Sequence, residues 1–160
     1  MKIEKFPRHK SNQGYLAAKY PTVIMYGLSA VVLLLPGVHF FAWLIAFVFF
    51  FREKDSIFLR LHSASIGLLL LFRSMVQILL VVLQDFIFLW ASRSQSNAAI
   101  LVAVSWAERF NTFTIALLLS CLAIMIVQTV MAYNYRYFHL PVIRRLAKRL
   151  EENTRPGPLR

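Results

Sequence analysis

Five polar residues inside one long apolar run are the part of this sequence best placed to do chemistry. They are His62, Arg73, Gln77, Gln84 and Asp85, within REKDSIFLRLHSASIGLLLLFRSMVQILLVVLQD at residues 52–85. At about 100° per residue, the steps 62→73, 73→77 and 73→84 are each close to whole helical turns. One helix through the run sets His62, Arg73, Gln77 and Gln84 in a single stripe, with Ser65 beside it. Asp85 falls about a third of a turn away. An arginine inside a membrane helix costs at least ~2.5–3.5 kcal/mol and normally needs a partner, water or a lipid head group. Arg73 and Asp85 lie about 18 Å apart along one axis, so they cannot pair within it. Three uses of the stripe stay open. Arg73 pairs with Asp85 or Glu108 of another helix or subunit, or with Gln77 and Gln128, as structural glue. Alternatively the stripe lines a water-filled path, or it faces a partner protein.

No catalytic constellation accompanies it. The histidines His9, His39, His62 and His139 show neither HxxxH nor HExxH spacing. No GxxxxGK[ST] or GxSxG occurs, and no acidic pair lies inside an apolar run. The single cysteine, Cys121, sits in an apolar run and reads as a packing residue. The sequence therefore points away from an enzyme, a metal site or a bound cofactor.

The elements that must position the stripe follow from composition. Of 160 residues, 59% are hydrophobic and 14 are Phe. A soluble domain carries about 45–50% apolar residues. The 18 basic residues, against 7 acidic ones, sit between and beside the apolar runs. That placement argues for topology on an anionic membrane and against nucleic acid as a partner. The expected fold is all-α, a polytopic transmembrane helical bundle.

Residues 1–20 read as a basic cytoplasmic tail, and no cleaved signal is evident. Residues 21–133 read as the transmembrane domain, with segments near 22–35, 38–51, 62–90 and 110–133. The first two are short and joined at Pro36-Gly37. A hairpin there puts residues 1–20, the loop 52–60 and residues 134–160 on one side, which satisfies the positive-inside bias. A single over-long kinked span over 22–51 would not. SRSQSN at 92–97 reads as a loop. AAILVAVSW at 98–106 is too short to span and reads as interfacial. Tyr133, Tyr135 and Tyr137 suit an interfacial belt. PVIRRLAKRLEEN, from Pro141, reads as a basic amphipathic helix. Its Arg144, Arg145, Lys148 and Arg149 should lie on an anionic inner leaflet.

Two stretches carry a family resemblance. One is Phe49-Phe50-Phe51-Arg52-Glu53-Lys54-Asp55 followed by Phe58-Leu59-Arg60-Leu61-His62-Ser63-Ala64. The other is Ala132-Tyr133 leading through Tyr137 to Leu140-Pro141-Val142-Ile143 and Leu146-Ala147. Together, over about 22–150, the chain resembles the small four-span proteins related to the twenty-kilodalton subunit of the Tic translocon and their bacterial relatives. The family's Gln after the His motif is absent here, where Ser65-Ile66 stand, and Asn134 replaces a frequent Gly. The resemblance implies a non-enzymatic accessory subunit that works by association with other membrane proteins or itself, in protein or peptide translocation. The alternative is an oligomeric channel or small-solute transporter with Arg73, Gln77 and Gln84 lining the path. The expected location is a bacterial cytoplasmic (inner) membrane, with both termini cytoplasmic.

Overall fold

A computed structural model describes residues 3–7, 10–11, 17–94, 96–138 and 143–154. The elements run β1 (Ile3–Lys5), α1 (Lys19–Leu34), a 3-10 turn (His39–Phe41), α2 (Ala42–Arg52), α3 (Ile57–Ser94), α4 (Asn97–Tyr133), β2 (Arg136–Phe138) and α5 (Arg144–Thr154). The chain is mainly helical, with two helices long and apolar enough to cross a membrane, α3 and α4. It divides into two compact units: Met1–Leu71 with Leu122–Arg160, and Phe72–Cys121. The boundaries between these units fall within α3 and α4.

In the first unit, α1 tolerates Pro21 because it falls in the first turn, where its missing N–H loses no helical bond. The helix stops where Leu35, ahead of Pro36, takes an extended backbone. Gly37 then adopts a left-handed conformation, φ 81°, that an L side chain resists. The expected turn at Pro36-Gly37 is thus formed, and α1 packs back along α2. The α2 helix packs in turn on the start of α3. Phe50 meets Ala64, and a Cβ on Gly67 would stand 3.2–3.4 Å from Phe47 and Ala46. The absence of a side chain at Gly67 sets that close approach. At 16 and 11 residues, α1 and α2 are about 24 and 16 Å long, each shorter than the ~30 Å hydrocarbon core.

The start of α3 is fixed locally. Ser56 Oγ accepts the Leu59 N–H at 3.2 Å, as an N-cap does. Glu53 Oε1 accepts the Ser56 and Asp55 N–H groups at 2.9 and 3.1 Å.

In the second unit, residues 72–94 of α3 and 97–121 of α4 form a hairpin. Ala91, Ala99 and Ala103 with Ile87 make the small contact at its closed end. Here the sequence expectation is corrected. Residues 98–106 are no separate interfacial piece; they are the first turns of a 37-residue helix. No Gly or Pro interrupts 97–133, and Ala and Leu favour continuation. The expected loop shrinks likewise, since Ser92, Arg93 and Ser94 belong to α3 and Asn97 to α4; Gln95 lies outside the described residues.

Three further corrections concern the ends. Residues 3–5 are not free tail: they pair antiparallel with 136–138, Glu4 opposite Tyr137. Tyr135 and Tyr137 do not form an interfacial belt; both are buried, and only Tyr133 is exposed. The apolar side of α5 is partly covered by protein. Ala147, with Ile143 and Leu150, packs on Phe50 and Ala64, while Leu146 is exposed. A protein groove had already been prepared for that side by the small residue Ala64. His9, His139 and Pro141, the last expected to open the C-terminal helix, lie outside the described residues.

Candidate functional site

The polar residues of α3 lie on one continuous helix, His62 in the first unit and Arg73, Gln77, Gln84 and Asp85 in the second. His62 belongs to a buried knot in the first. Its Nδ1 lies 2.9 Å from the Tyr26 hydroxyl of α1, and its Nε2 lies 3.2 Å from the Arg136 carbonyl of β2. A carbonyl only accepts, so Nε2 carries the proton and, in the neutral ring, Nδ1 accepts from Tyr26. Ser65 and Tyr137 share a hydrogen bond beside it, and Ser63 Oγ donates to Met25 Sδ at 3.0 Å. Phe58 stacks edge-on against His62, with centroids 4.5 Å apart. One imidazole thereby ties α1, α3 and β2 together.

A second knot lies beside the first. Glu53, fully buried, receives the Ser11 hydroxyl on Oε2 in addition to its two backbone donors. Arg60 donates through Nη1 to the Glu53 carbonyl at 3.1 Å and through Nη2 to Thr154 Oγ1 at 2.8 Å. Its guanidinium stands 4.8 Å over the Phe50 ring. From the first turn of α3, Arg60 thus clamps the end of α5 to the loop at Glu53.

A Tyr–His–Tyr–Ser group could in principle move protons. Here the His62 side chain is 0% exposed and Tyr26 only 2%, and the hydrogen bonds they make tie α1, α3 and β2 together. Among the described residues, no three His, Cys, Asp or Glu side chains are placed to share a metal ion.

In the second unit, Arg73 is 3% exposed. Its Nε and Nη1 are buried and meet no hydrogen-bond acceptor. The acidic residues offered as its partners, Asp85 and Glu108, are exposed, and Gln77 and Gln84 are half-buried. On α5, Arg145, Lys148 and Arg149 are exposed around a shallow basic surface. The Arg144 side chain is not among those described.

Sequence reading found His62 and Arg73 but missed Tyr26, Glu53, Tyr137 and Thr154 as partners. The available signals were a tyrosine hydroxyl inside an apolar helix, which must be satisfied, and Ser56 at the N-cap position ahead of an apolar run. No family model, curated protein or solved structure matches the chain.

Proposed function

We propose that this chain is an integral membrane protein that works without catalysis, as an accessory subunit associating with other membrane proteins. One observation carries the reading. Within 72–121, among the described residues, 19 large apolar side chains are exposed, and beneath them lies an arginine with two unsatisfied nitrogens. At roughly 1 kcal/mol for each half-exposed side chain, water contact would cost on the order of 20 kcal/mol. A patch of that size marks a surface that meets lipid or another protein. Lipid or protein therefore covers this surface.

The two stretches that carry the Tic-related resemblance support the same reading. Segments 58–64 and 132–147 meet in the His62 knot and at the Ala64–Ala147 contact. A role in protein or peptide translocation at a bacterial cytoplasmic membrane follows from that resemblance, with four membrane segments and both termini cytoplasmic. The α1–α2 hairpin would supply the first two segments, its short arms crossing where the bilayer thins around them.

The half-buried amides of Gln77 and Gln84 favour a second reading, an oligomeric channel or transporter with Arg73, Gln77 and Gln84 along the path. The test is gentle-detergent purification with mass spectrometry of retained proteins, together with solute flux in liposomes. Co-purifying membrane proteins that Arg73→Leu releases, with no flux, support the subunit. Flux abolished by Arg73→Ala supports the channel and overturns the subunit.

A further inference from the structure

Between α1 and the last turns of α4 runs an apolar furrow of about 270 Å³, walled by Val23, Gly27 and Ala30 on one side and Met125, Ile126 and Val130 on the other. Both walls belong to the same unit. The two hydroxyls in its lining are already engaged. Thr129 Oγ1 donates to the Met125 carbonyl at 2.7 Å, and Tyr26 is held by His62 at 2.9 Å. The furrow offers an occupant carbon and little else. Gly27 opens its floor: a Cβ there would meet nothing within 4 Å.

The mouth of the furrow is cationic. Lys19 lies one turn before Val23 on the same face of α1, and Tyr133 lies about one turn past Val130 on α4. Lys19 Nζ stands 4.3 Å from the Tyr133 ring centroid and 5.0 Å from that of Tyr20, within cation–π range. The ammonium is thus held across both helices, and it forms no ion pair among the described residues. From Lys19 to Ala30 the helix rises about 16 Å, close to half of the ~30 Å hydrocarbon core. That is the reach of one acyl chain in one leaflet.

We propose that this furrow binds an anionic glycerophospholipid of the surrounding bilayer, its phosphate on Lys19 and one acyl chain between α1 and α4. The assignment rests on the membrane reading above. A zwitterionic lipid carries its own cation beside the phosphate and competes with Lys19 for it, so an anionic head group is preferred.

The experiment uses the purified full chain in phosphatidylcholine nanodiscs holding a small share of phosphatidylglycerol with a photoactivatable acyl chain. Cross-linked peptides are mapped by mass spectrometry. Label should concentrate on 23–30 and 122–130, and unlabelled phosphatidylglycerol should displace it about fivefold better than phosphatidylcholine, the factor expected of one lysine near an anionic surface. Gly27→Leu should fill the furrow and remove most of that label, while Lys19→Gln should keep the label and lose the head-group preference. Unchanged helicity and elution volume show that both variants fold. Label spread evenly over exposed residues such as Phe72 and Leu101 would overturn the proposal. So would cross-links from the furrow to a second copy or a partner helix, equal displacement by oleate, or no effect of Gly27→Leu. Release of the wild-type chain from membranes at alkaline pH overturns the membrane reading itself. Retention with an unlabelled furrow overturns only the lipid site.

Discussion

Removing one oxygen atom tests the His62 knot. Tyr26→Phe keeps the ring that packs against His62, whose centroid is 5.8 Å away, and deletes only the hydroxyl that meets Nδ1 at 2.9 Å. The imidazole is 0% exposed, so water does not take the vacated place. A buried acceptor left without a donor costs about 1–3 kcal/mol. For a chain of this size, each kcal/mol moves the unfolding midpoint by roughly 2–4 °C, so Tm should fall by about 2–12 °C. The assay is a circular dichroism melt in mild detergent. Tyr133→Phe, on an exposed tyrosine whose ring stays in place, is the control and should stay within about 2 °C. The double variant Tyr26→Phe/His62→Leu should lose less than the sum of its parts, with a coupling of about 0.5–3 kcal/mol. A Tyr26→Phe melt indistinguishable from wild type, or strict additivity in the double variant, would refute the tie between α1 and α3.

Other perturbations follow from the same structure. Arg73→Leu should release co-purifying partners while leaving the isolated chain's Tm unchanged or raised, because Nε and Nη1 find no acceptor within the chain; unchanged co-purification with unchanged folding removes the partner role. Gly67→Leu forces a side chain into Phe47 and Ala46, 3.2–3.4 Å from its Cβ, and should cost about 1–3 kcal/mol in thermal unfolding, part of it recovered by Phe47→Leu. Glu53→Ala strips the acceptor from the Asp55 and Ser56 N–H groups and should cost about 0.5–2 kcal/mol, like a lost N-cap, read as faster tryptic cleavage after Lys54. Ala147→Glu buries a charge against Phe50 and Ala64, and should speed tryptic cleavage within α5 by at least about tenfold through local opening.

The helical class was legible because long apolar runs with few Gly or Pro admit little else, and Pro36-Gly37 announced its own turn. The extent of α3 and α4 was misread around 92–106. Short polar residues such as Ser92 and Ser94 look like loop, yet their hydroxyls bond back to the Leu89 and Ala91 carbonyls and ride on the helix. The α5 helix showed why amphipathicity alone does not name a surface: the stripe of Ile143, Ala147 and Leu150 suits a bilayer or a protein groove equally. Its groove depends on Phe50 and Ala64, some 80–100 residues earlier. Long-range pairings such as His62 with Arg136, or Arg60 with Thr154, leave no local pattern in sequence. His62 and Arg73 stood out because an ionisable residue in an apolar run must be satisfied by something. Sequence shows the demand, and only the fold shows what meets it.

The central claim is that α1–α2 and α3–α4 are two hairpins inserted from the same side of a membrane. Single cysteines placed on a Cys121→Ser background test it directly, at Val38 and Ser96 in the two turns and at Lys54 and Glu152 near the opposite ends. Labelling of intact cells with a membrane-impermeant maleimide should reach Val38→Cys and Ser96→Cys, and should reach Lys54→Cys and Glu152→Cys only after the membrane is opened. Equal labelling of all four before opening, or protection of Val38→Cys together with Lys54→Cys, would contradict the account.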